Sequence, residues 1–167
     1  SALLGTAHAT HLFDSRGMLG QSMRVQAVCV FFGPIDLLRL YDYARVHQTP
    51  QVNEVLTLLG GDPRLNPEQA RLSNPLTCQE ADTPPFLIVH GLNDTVVPPG
   101  QSRLLYDALV ARRVPAHLHL IHDAGHTGPA FIAPEINAMV DEFFNRNLRA
   151  GPPPEVSSVT ESNAVKD

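Results

Sequence analysis

The chain has no run of apolar residues near the roughly 18 that a membrane-crossing helix requires, so no span is expected. Lysine is almost missing. Lys166 stands alone among 12 basic residues, no basic block forms, and the net charge is −5. Neither nucleic acid nor a membrane is therefore an expected partner. There are only 2 cysteines. Cys29 falls in an apolar run and Cys78 in a polar stretch, which argues against the disulfide framework of small secreted scaffolds and leaves the redox compartment unread. The first residue is Ser1 rather than Met, so any signal peptide would lie outside these residues and localisation is not legible. Finally, no Gly-x-Ser-x-Gly occurs anywhere in the 167 residues.

What is present reads as a folded domain. Hydrophobic residues make up 43% and charged ones 17%, well clear of disorder, in a chain long enough to bury a core. Residues 1–6 predict the last turns of a helix, and 7–24 a polar surface loop. Residues 25–32, apolar, rich in Val and closed by Gly33-Pro34, predict a strand buried on both faces, as in a parallel sheet. Asp36 is a candidate N-cap for a short helix starting at Leu37. The spacing of Val52, Val55, Leu56 and Leu59 predicts a helix over 51–59, ended by Gly60-Gly61, and Pro67 opens another over 67–72. Strand 86–89, helix 99–113, strand 116–121 and helix 134–148 follow. That alternation predicts the α/β class, with a parallel sheet and right-handed crossovers. Residues 151–167, Gly-Pro-Pro-Pro and then polar, read as a disordered tail, which divides the chain into a domain over 1–149 and a tail over 150–167.

In open α/β sheets the reactive groups sit at the carboxyl ends of strands. Asp94 follows strand 86–89 in His90-Gly91-Leu92-Asn93-Asp94, and His126 follows strand 116–121 in Asp123-Ala124-Gly125-His126. Both should emerge on one sheet edge. There the carboxylate can hold one imidazole nitrogen and leave the other free to take a proton. Taken singly, Asp94 would be a turn former and His126 a loop histidine. Taken together, in these strand contexts, they form the back half of a Ser…Asp…His order. Asp123 reads as a structural turn residue and His90 as a core or loop histidine.

No serine completes the set. Ser22 follows Gly20-Gln21 but has a loop before it and a strand after, the reverse of a nucleophile elbow. Ser1 and Ser102 lack glycine flanks altogether. The oxyanion donors, normally the residue after the serine and an early loop, are not on this chain either. His117 and His119 should share one face of a strand, a possible chelating pair near His122 and Asp123. Alternating polar residues on an outer strand explain them equally well, and no metal is assigned.

The sequence resembles the bacterial α/β-hydrolase esterases of the carboxylesterase and feruloyl-esterase-like group, related to the prolyl-oligopeptidase and dipeptidyl-peptidase hydrolases. The stretches that carry the resemblance are Leu3-Leu4-Gly5-Thr6, Arg24-Val25-Gln26-Ala27-Val28, Phe32-Gly33-Pro34-Ile35-Asp36, Ser73-Asn74-Pro75-Leu76-Thr77, Pro84-Pro85-Phe86-Leu87-Ile88-Val89-His90-Gly91 with Asp94, Gln101-Ser102 with Leu104-Leu105-Tyr106, and Gly125-His126-Thr127-Gly128-Pro129. They span residues 1–149 in order. The resemblance implies the C-terminal half of an α/β-hydrolase sheet with flanking helices, and a serine esterase acting on small acyl, aryl or sugar-borne esters. It places Asp94 and His126 as triad acid and base and the nucleophile, in Gly-x-Ser-Ala-Gly-Gly-His-Leu, just before Ser1. It implies no metal or organic cofactor and says nothing of oligomeric state. Thr127 departs from the usual Gly-His-Gly-Gly. A prolyl-oligopeptidase-type peptidase and a non-catalytic binding module are the alternatives. Without a neighbouring nucleophile strand, the strand over 25–32 would leave an open edge, so the isolated chain is expected to be poorly stable.

Overall fold

The computed structural model describes residues 2–7, 24–77, 82–148 and 158–163. Ser1, Ser22, Cys78 and residues 8–23 of the expected 7–24 loop lie outside them. Four parallel strands, β1 (Val28–Phe31), β2 (Phe86–Gly91), β3 (Ala116–His122) and β4 (Ser158–Asn163), stand in that order across one sheet. The helices are α1 (Ala2–Ala7), α2 (Leu37–His47), α3 (Gln51–Leu59), α4 (Pro67–Leu72), α5 (Gly100–Ala111) and α6 (Pro134–Leu148).

The strand sequences account for the layering. Every residue of β2 is buried, as the unbroken apolar run Phe86-Leu87-Ile88-Val89 requires of a strand covered on both faces. Side chains alternate between the faces. Val28, Val30, Phe86, Ile88, Leu118 and Leu120 meet Leu105 and Leu109 of α5 on one side. Leu87, Val89 and Ile121 meet Phe131 and Ile136 on the other, where α6 packs. Because the strands run in sequence order, helices on opposite faces give the β2–α5–β3 and β3–α6–β4 connections opposite hands.

Asp36 caps α2 as expected, its Oδ1 accepting the Arg39 N–H at 3.0 Å, and α2 runs on to His47. Gly60, at φ 71°, ends α3 in the left-handed conformation that glycine adopts without cost. The tail is the main correction. Residues 158–163, expected to be disordered, form β4 in parallel register with β3. Hydroxyls and histidines take the place of apolar contacts there: His117 Nδ1 with Ser158 Oγ at 2.6 Å, and His119 with Thr160 Oγ1 at 2.6 Å and Ser162 Oγ at 2.9 Å. A strand held by polar cross-strand pairs leaves no trace in hydropathy.

Candidate active site

The site is built where β2 and β3 end. Their register runs to Gly91 opposite Ile121. Two further backbone bonds then tie the following loops together, Leu92 N–H to the Ile121 carbonyl and Asn93 N–H to the Ala124 carbonyl, both at 2.9 Å. The approach is so close that a β-carbon at Gly91 would collide with the carbonyl oxygens of Ala124 and Gly125. Only glycine fits there. Asp123 turns the second loop at φ 60°, a left-handed conformation that Asp tolerates better than most residues. Its expected role as a turn residue matches that conformation.

These loops bring Asp94 and His126 together across 32 residues. His126 Nδ1 lies 2.8 Å from Asp94 Oδ2. The carboxylate is fully buried, while 29% of the His126 side chain reaches solvent. Asp94 Oδ1 accepts the Val96 and Val97 N–H groups at 2.8 and 2.9 Å. Oδ2 also accepts His90 Nε2–H at 3.0 Å. Four donors therefore occupy the roughly four lone-pair directions of a carboxylate, and Asp94 has one orientation left to it. With His126 Nδ1–H spent on that carboxylate, its Nε2 carries the lone pair. Among the described residues, none makes a hydrogen bond to that nitrogen.

His90 is more than the bland core histidine that its sequence context suggests. It is completely buried, and its Nε2–H is shared between Asp94 and the Val97 carbonyl at 2.8 Å. Burial pushes its pKa down, against the opposing pull of the Val97 carbonyl and Asp94, so the ring is neutral at neutral pH. Its Nδ1 then accepts the Ser102 hydroxyl proton at 2.6 Å. Ser102–His90–Asp94 thus has the residue types and contacts of a nucleophilic triad. Burial denies it that role, since Ser102 and His90 are both at 0% exposure and no substrate can reach the hydroxyl. Nothing in the sequence joins these residues, since Ser102, in the first turn of α5, lacks the glycine flanks of a nucleophile elbow.

The aromatic surroundings of His126 were also silent in the sequence. The Phe32 ring centroid sits 4.7 Å from the imidazole, tilted by 57°, and Phe131 meets Phe32 edge-on at 4.9 Å. Gln101 ties the loop after β1 to α5. Its Oε1 accepts from the Ile35 and Asp36 N–H groups at 2.9 and 2.7 Å, and its Nε2 donates to the Asp36 carbonyl. His117 and His119 do share a face, their rings stacked 6.4 Å apart, but their nitrogens meet β4 hydroxyls. Among the described residues no three metal-ligating side chains cluster. A cavity of about 320 Å³ lined by Phe86, Ala116, His117 and Phe143 opens at the amino ends of β2 and β3, away from Asp94 and His126.

Comparison with known proteins adds the lineage. Residues 1–109 match the BD-FAE family. The chain belongs to that family. It is 37% identical over 87 residues to the probable carboxylic ester hydrolase LipM of Mycobacterium tuberculosis, an alignment covering 52% of this chain and 20% of LipM. It superposes on a bifunctional GH43-CE protein of Bacteroides eggerthii with TM-score 0.70 and 28% identity, over 86% of this chain and 20% of that one. A truncated carbohydrate esterase from gut microbiota gives TM-score 0.66 and 24% identity, over 89% of this chain and 56% of that one, a likeness of fold. The fold is that of the α/β-hydrolases. This BD-FAE chain spans about a fifth of LipM and just over half of the carbohydrate esterase. The BD-FAE match stops at residue 109, so it takes in Asp94 and leaves out His126.

Proposed function

We propose that this chain supplies the acid and base of a serine-dependent carboxylic ester hydrolase. One observation carries the reading. A buried, fully satisfied Asp94 holds Nδ1 of a partly exposed His126 at 2.8 Å, and no described residue bonds its Nε2. A serine from outside these 167 residues would give its hydroxyl proton to His126 Nε2 as its oxygen bonds to the ester carbonyl carbon. His126 would then pass that proton to the departing alcohol, leaving an acyl-serine. Water completes the cycle through the same base: His126 takes a water proton and returns it to the serine as the acid leaves. Throughout, Asp94 fixes the tautomer and stabilises the imidazolium without itself taking the proton. Small acyl and aryl esters, including acyl groups borne on sugars, are the proposed substrates. The names of LipM and the carbohydrate esterase are in keeping with that class.

The test is p-nitrophenyl acetate hydrolysis by the full natural polypeptide carrying these residues, compared with its His126→Ala variant. The expected loss in kcat is on the order of a thousandfold or more, with the thermal midpoint nearly unchanged. Retained turnover would remove the assignment. Residues 1–167 alone should show no His126-dependent rate above the slow background of imidazole itself.

A further inference from the structure

We infer that Phe32 is a positioning residue for His126, an inference that rests on the proposed role of His126 as the base. Three observations converge on it. The first is a broken alternation. Along β1, Val28 and Val30 pack on the α5 side while Cys29 and Phe31 pack on the α6 side. A continuing strand would send Phe32 back to the α5 side, yet it packs with Phe31 and Phe131. The second is the backbone that makes this possible. Phe32 sits at φ 40°, in the left-handed region that a bulky aromatic residue rarely occupies, while its N–H still bonds the Val89 carbonyl at 2.9 Å. The third is where the displaced ring arrives, tilted against the His126 imidazole at 4.7 Å.

Strain of this kind persists only where the surroundings hold it in place. Here they do so from both sides. Gln101 clamps the backbone at Ile35 and Asp36, three and four residues past Phe32. Phe131 and Phe31 brace the ring at 4.9 and 6.2 Å. Asp94 fixes one ring nitrogen of His126 but leaves the imidazole free to swing about that bond. A ring packed against it removes the swing and holds Nε2 in one direction. Its ring centroid also lies within the roughly 6 Å at which an aromatic ring stabilises a cation, so it favours the imidazolium formed during the reaction. Both effects act after substrate binds, and they belong in kcat rather than KM.

The experiment measures kcat and KM for p-nitrophenyl acetate in the full natural polypeptide, with Phe32→Leu, Phe32→Tyr, Phe31→Leu and His126→Ala. Phe32→Leu should lower kcat about tenfold to a hundredfold and leave KM within about twofold. Phe32→Tyr, which keeps the π-face, should restore kcat. Phe31→Leu removes an aromatic ring that braces Phe32 without itself pairing with His126, and should lower kcat less than Phe32→Leu does. Full kcat in Phe32→Leu, or an equal loss in Phe31→Leu, would reduce Phe32 to packing and overturn the inference while His126→Ala remained inactive. Turnover surviving in His126→Ala would instead overturn the catalytic reading and this inference with it.

Discussion

Asp94 stands between two imidazoles that differ in almost everything except their bond to it. His90 reaches the carboxylate from inside the sheet with no solvent exposure, and its second nitrogen is consumed by Ser102. His126 reaches the same oxygen from the loop after β3, partly exposed, with its second nitrogen unbonded by any described residue. Both pairs have ion-pair geometry, at 3.0 and 2.8 Å, so distance alone does not tell them apart. What separates them is access and the use of the second nitrogen. A buried ring with both nitrogens engaged is scaffold, and an accessible ring with one nitrogen anchored suits the base proposed above.

Three substitutions or titrations would break or sharpen that contrast. Asp94→Asn should have the largest effect, lowering kcat for p-nitrophenyl acetate by about ten-thousandfold in the full natural polypeptide, by analogy with other triads. The amide would turn a donor toward one of the imidazoles or toward the Val96 and Val97 N–H groups, releasing the tautomer. A loss below tenfold would show that His126 works without its anchor.

His90→Ala should act mainly on stability. It leaves the Ser102 hydroxyl, the Val97 carbonyl and one direction of Asp94 Oδ2 unpaired in a dry interior, for a cost of about 3 kcal/mol in denaturant unfolding. The variant that still folds should lose far less activity than His126→Ala. Equal losses of activity would place His90 in the machinery rather than beneath it.

The smallest effect is a slope. Burial lowers the pKa of His90 below 6.5, and that of His117 and His119 in the same way. Below the unfolded value the unfolded chain takes up protons that the folded chain refuses, so folding should weaken as pH falls through 6.5 and level off below the folded pKa values. Each histidine contributes at most about 1.4 kcal/mol per pH unit, and His90→Gln should remove one such share from the profile. Stability that is flat between pH 7 and 5 would deny the burial argument for His90.

The local elements of the chain were legible because they depend on neighbours in sequence. Helical spacing marked α3, the Asp36 cap marked α2, and apolar β-branched runs marked β1 and β2. The pairing of Asp94 with His126 was legible for a related reason, since parallel strands deliver the residues after them to one edge. β4 was not, because its contacts are hydroxyls against histidines rather than a buried apolar stripe. His90 and Ser102 could not be assigned either, since their meaning lies in burial and in a partner 12 residues away on another element.

The sequence by itself therefore determined the α/β order and the meeting of Asp94 and His126 at one sheet edge. Tertiary structure alone decided which of two histidines faces solvent, which serine is buried, and that Phe32 leaves its strand to meet His126. Local patterns follow from short-range sterics and periodicity. Exposure and second-nitrogen partners follow from how the loops after β1, β2 and β3 pack against one another, and no local pattern encodes that.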